Sequence, residues 1–78
     1  MIDYDYRAAT LAQPTPAQIE QARAAAGLTQ QAAAELVHRA NSARWREWAG
    51  GKYAIDMAVW ELFLIKTGLR RQLPRKKQ

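Results

Sequence analysis

The sequence contains no cysteine. Disulfides, thiolate metal sites and catalytic thiols are thereby excluded. There is one histidine, His38, and the seven acidic residues are scattered, so neither a metal-ligand cluster nor a nucleophile–base pair is legible. The four glycines form no phosphate-cradling loop. An enzyme is therefore not expected, nor a metal, a cofactor or a small-molecule ligand. No stretch is apolar and long enough to span a bilayer, and no signal-peptide pattern opens the chain. The expectation is a cytoplasmic protein with no membrane partner.

What the chain does have is positive charge. Twelve Lys+Arg face seven Asp+Glu, a formal net charge of +5, which favours a polyanionic partner. The excess is uneven. Asp3 and Asp5 stand near one end, and Arg70, Arg71, Arg75, Lys76 and Lys77 cluster at the other. At 78 residues the chain makes one domain whose core is small, so pairing with a second copy would add burial.

Residues 1–13 show no helical period. Ile2, Tyr4 and Tyr6 alternate with Asp3 and Asp5, as in a strand, but the run is too short to be stable alone. A flexible arm is expected there, with a short strand pairing in a dimer as the alternative. Pro14-Thr15-Pro16 marks the domain boundary, with Thr15 as helix N-cap and Pro16 in the first turn. A first helix then runs from Pro16 to about Ala26, buries Ile19, Ala22 and Ala26, and stops at Gly27.

Residues 27–51 carry the organising unit. Thr29 caps a second helix in which Ala33, Leu36 and Val37 form a burial face and Ala34 permits close approach. A polar turn follows. Ser42 or Asn41 then caps a third helix, Ala43 to Ala49, which Gly50-Gly51 ends. Trp45 and Trp48, three apart, point the same way into the core, although each ring could instead stack on a base. Asp56 caps a fourth helix, Met57 to Thr67, stopped by Gly68. That helix is apolar nearly all round, which implies either a partner, most simply a second copy, or wrapping by both termini. Trp60 and Leu64 are expected in the core, Leu62 and Phe63 at the dimer interface. Residues 69–78, interrupted by Pro74, read as a basic tail.

The fold expected is all-α: a small helix-turn-helix bundle of four to five helices over residues 14–68, between arm and tail. In such units the second helix of the pair enters the DNA major groove. Arg44 and Arg46 are the base-reading candidates, because a guanidinium fork matches guanine O6 and N7; Arg46 serves equally as a phosphate ligand. Arg39 and Asn41 in the turn, Ser42 at the cap and Lys52 after the helix are placed on the DNA backbone. Glu47 is awkward beside DNA, and would pair with Arg44 or Arg46, or accept from a cytosine amino group. His38 suits a helix C-terminus and a phosphate.

Gly27-Leu28-Thr29-Gln30, then Ala34, then Trp48-Ala49-Gly50-Gly51, resemble the Cro/repressor-type (XRE-like) helix-turn-helix proteins. With Leu36-Val37-His38, Trp45 and the run from Trp60 to Gly68, the chain is similar to small phage and mobile-element regulators, among them the anti-CRISPR-associated repressors. The likeness covers residues 16–68. It implies dimeric operator binding, a cell without a nucleus, and a phosphate contact from Gln30, where a helix N-terminus offers free N–H groups. Two departures stand out. Ala49 occupies a place where the family usually carries an acid, and the span from Thr29 to Trp48 is about one residue longer than usual, which shifts the register of the reading helix.

The function expected is a sequence-specific transcriptional repressor, bound as a homodimer to an inverted repeat in double-stranded DNA, acting by steric occupation and controlled by its concentration. The alternatives are the DNA-binding antitoxin of a toxin–antitoxin pair, and a protein-interaction module that uses the fourth helix and does not bind DNA.

Overall fold

The computed structural model describes residues 4–70. Four helices follow one another: α1 Pro16–Ala25, α2 Gln30–Leu36, α3 Ala43–Ala49 and α4 Met57–Thr67; among the described residues there is no strand. Each start has a local cause. At α1 the Thr15 hydroxyl accepts from the Gln18 N–H (3.1 Å) while the Gln18 side chain accepts from the Thr15 N–H (2.8 Å), a reciprocal capping box ahead of a proline in the first turn. The Thr29 hydroxyl accepts from the Ala32 N–H (3.0 Å), and the Asp56 carboxylate from the Ala58 N–H (2.8 Å). At α3 the cap expected from Ser42 or Asn41 falls to Asn41, whose Oδ1 accepts from the Ala43 N–H (2.9 Å), while Ser42 at the N-cap position makes no side-chain cap bond.

Most ends are left-handed. Gly51 (φ 84°) and Gly68 (φ 80°) close α3 and α4. After α2 the left-handed position is His38 (φ 66°), the one non-glycine residue with positive φ among those described. There the Arg39 N–H returns to the Ala34 carbonyl (2.9 Å), and the Lys66 ammonium donates to the Leu36 carbonyl (2.9 Å), so orphan carbonyls of α2 find partners. The helix thus ends at Leu36, one residue before Val37, which is buried in the core while Leu36 is only half-buried.

The core is aromatic on one side and alanine-rich on the other. α3 packs on α1 and α2, and α4 packs on α2. Ala22, Ala33 and Ala34 are fully buried and let the helices approach closely; the volume is filled by Trp45, Trp60 and Phe63. Their rings form a chain. Phe63 lies 4.9 Å from Trp45 and is stacked 5.9 Å from Trp60, and Trp45 meets Trp48 edge-on at 6.1 Å.

Two expectations are corrected here. Phe63 is no interface residue: it is 0% exposed, enclosed by Trp45 and Trp60. Residues 4–13 form no strand, and this described part of the N-terminal arm packs against α4. Tyr4 meets Trp60 edge-on at 5.6 Å, accepts from its indole N–H (2.9 Å) and donates to the Ala12 carbonyl. Arg70 donates to the carbonyls of Tyr6 (2.9 Å) and Ala8 (2.8 Å) and pairs with Glu61 (3.3 Å). The alternation of tyrosine and aspartate therefore serves one-sided packing against α4, and this segment together with Arg70 wraps part of that helix. The remaining basic residues of the tail, Arg71, Arg75, Lys76 and Lys77, lie outside the described residues.

Glu20 is a hub between α1, α2 and α3. Its carboxylate accepts from Arg23 (2.9 Å to Nη2) and from the Trp45 indole N–H (3.0 Å). The hydrogen bond from Arg23 holds its pKa below the ordinary glutamate value; burial opposes it, and the Trp45 hydrogen bond and the Arg23 charge add to the lowering. A carboxylate whose folded pKa is depressed adds stability that is present above its unfolded value and is lost as pH falls through the lowered one. Thermal melts from pH 7 to pH 3 should show the wild-type advantage over Glu20→Gln shrinking below about pH 4.3, the ordinary glutamate range. Equal acid sensitivity of the two proteins would show that this carboxylate contributes nothing to it.

Candidate nucleic-acid interface

α3 is rooted by its two tryptophans. Trp45 is 0% and Trp48 4% exposed, so both rings belong to the core and neither is free to stack on a base. The 3.6-residue period then turns Arg44 and Arg46 outward, onto opposite flanks, since residues two apart do not face each other. Arg46 donates to the Ser42 hydroxyl one turn back. Arg44 pairs with Glu47 (3.4 Å), which settles the partner of that acid in favour of Arg44.

The Arg44 flank continues into the loop after α3. The Glu47 carbonyl accepts from the Lys52 N–H (2.9 Å), and Gly51 turns the chain back in a left-handed conformation that other residues adopt only with strain. A Cβ on Gly51 would also come within 3.3 Å of the Pro16 ring. This turn sets Tyr53 beside α3. Its ring lies 5.9 Å from the Arg44 guanidinium and 5.6 Å from the Lys52 ammonium. Arg44, Glu47, Lys52 and Tyr53 thus form one cluster.

The other candidates are distributed around it. Arg39 is half-buried, its guanidinium 5.9 Å over the Trp48 ring. Asn41 is committed to its cap. Gln30 begins α2 as expected and is half-buried. His38 is exposed, with Nε2 3.4 Å from Lys66.

No family model matches the chain, and no curated protein matches it closely enough to count as a relative. Among the described residues no group of three or more His, Asp or Glu side chains converges as a metal site would require, and no helix is long and apolar enough to cross a membrane.

Sequence reasoning passed over Tyr53. It is 50% exposed, the one large hydrophobic residue among those described to be so open. The available signal was an aromatic residue in a loop of small and basic residues directly after the helix, where nothing in the periodicity demanded one. Leu62, expected at a dimer interface, is half-buried. It lies on the side of α4 opposite the buried stripe of Trp60, Phe63 and Leu64, together with Ala58 and half-buried Ile65.

Proposed function

We propose that the protein is a sequence-specific DNA-binding regulator of transcription, of the Cro/repressor type that its sequence resembles, repressing by occupation of an operator. The observation that carries this reading is a short helix anchored by two buried tryptophans, packed against the helix before it, with Arg44, Arg46 and Lys52 left exposed. An anchored helix with outward guanidinium groups meets the geometric needs of major-groove readout, and the overall charge of +5 favours the polyanion. Selection of bound sequences from a random double-stranded library, at fixed salt, should enrich one motif. Recovery of unbiased sequence would overturn specific binding.

The motif should be an inverted repeat, with the protein bound as a homodimer whose two α3 helices enter grooves about 34 Å apart. The pairing surface we assign is the outward stripe of Ala58, Leu62 and Ile65, which takes the place of the pairing through Phe63. Sedimentation at micromolar concentration should give about twice the 8.8 kDa chain mass, and the double change Leu62→Glu with Ile65→Glu should give one chain mass with the fold intact. A wild-type monomer that binds the repeat at full affinity would rule out pairing before binding.

A further inference from the structure

We propose that Glu47 and Tyr53 form a clamp that holds the Arg44 guanidinium in its reading orientation, which makes Tyr53 a positioning residue for specificity; this rests on the reading of α3 as the DNA-reading helix. Arg44 is a long side chain on an exposed surface, and left alone it would sample many rotamers. A base contact then carries the entropy of ordering them. Here the guanidinium has two neighbours of different chemistry. The Glu47 carboxylate lies 3.4 Å away, one helical turn on, and fixes the group along the helix. The Tyr53 ring, with its centroid 5.9 Å away, bounds it on the loop side.

The backbone ties these parts together. The carbonyl of Glu47 accepts from the Lys52 N–H (2.9 Å), and the left-handed turn at Gly51 returns the loop to α3. Tyr53 also lines a shallow cleft with Pro16, Trp48 and Ile55. The clamp gives Glu47 a purpose on a face that otherwise attracts phosphates. Its carboxylate directs one arginine and repels non-specific phosphate contact. Arg46 lies on the opposite flank and is held to Ser42. Tyr53 also stands 5.6 Å from Lys52, so one ring neighbours both cations.

The test compares Tyr53→Ala, Tyr53→Phe and Glu47→Gln with the wild type and with Arg44→Ala. Each is bound to the selected operator, to its single-base variants and to random DNA at one salt concentration. Tyr53→Ala should lose about two- to fivefold of the discrimination at the base pair that Arg44 reads, the range of an exposed cation–π contact. Random-DNA affinity should fall by less than operator affinity for Tyr53→Ala and rise for Glu47→Gln, while Tyr53→Phe retains the wild-type discrimination. A readout without DNA accompanies it: the NMR order parameter of the Arg44 Nε–H bond should fall in Tyr53→Ala and Glu47→Gln and hold in Tyr53→Phe. Thermal melts confirm that each variant folds. If Arg44→Ala abolishes discrimination while Tyr53→Ala and Glu47→Gln leave it and the order parameter unchanged, the clamp is overturned and the reading helix stands. If the wild type prefers no sequence, the DNA reading falls and the clamp with it.

Discussion

Replacing Phe63 by alanine is expected to destabilise the protein by about 3–5 kcal/mol, the usual loss for deleting a buried phenylalanine ring. The ring is fully buried and joins α4 to α3: it touches Trp45 at 4.9 Å and Trp60 at 5.9 Å, and Trp60 in turn carries Tyr4. The opposite side of the core is built from alanines on α1 and α2, which have little side chain to move into the cavity. A 78-residue domain has on the order of 4–12 kcal/mol of stability in total, so the change removes much of it. Denaturant titration of the purified variant measures this directly. The neighbouring change Leu62→Ala, on the half-exposed side of α4, should cost the isolated chain about 1 kcal/mol or less. Comparable losses at the two positions would mean that the core is not centred on Phe63.

That contrast marks where sequence reasoning reaches its limit. The bounds of α3 and α4, the caps at Thr15, Thr29 and Asp56, and the stops at Gly27, Gly51 and Gly68 all follow from local chemistry, and local chemistry is written in adjacent residues. The inward face of α4 is a different kind of information. With Met57, Val59, Trp60, Leu62, Phe63, Leu64 and Ile65 in one short helix, apolar periodicity selects no side, and the choice between Leu62 and Phe63 depends on where Trp45 stands. The same holds for Tyr4 and Tyr6. Their alternation is visible, but it is the Trp60 indole N–H, 56 residues away, that needs the Tyr4 hydroxyl as a partner. At the candidate interface the outward turn of Arg44 and Arg46 was legible from the tryptophan spacing alone. The cluster that Tyr53 makes with Arg44 and Lys52 was not, because a left-handed glycine bends the loop back onto the helix.

Arg44→Ala is expected to cost about 1–3 kcal/mol on the operator and to relax preference at one base pair of each half-site. Arg44 is the second residue of α3, which in the proposed reading is the end that would reach base edges, and a guanidinium fork can bond guanine O6 and N7 together. Lys52 follows the helix as a single ammonium, suited to a phosphate rather than to a base pattern. Lys52→Ala should therefore weaken operator and random DNA alike and lower the log–log salt slope by roughly 0.9, the effect of one lost phosphate contact. Binding of both variants to the operator and its single-base variants, over a series of salt concentrations, separates the two roles. Arg46 supplies the decisive control, because it stands on the other flank of the same helix. If Arg44→Ala weakens every sequence equally while Arg46→Ala erases discrimination, the helix meets the groove by its other side and the reader is Arg46. If neither change alters discrimination, α3 is not the reading helix.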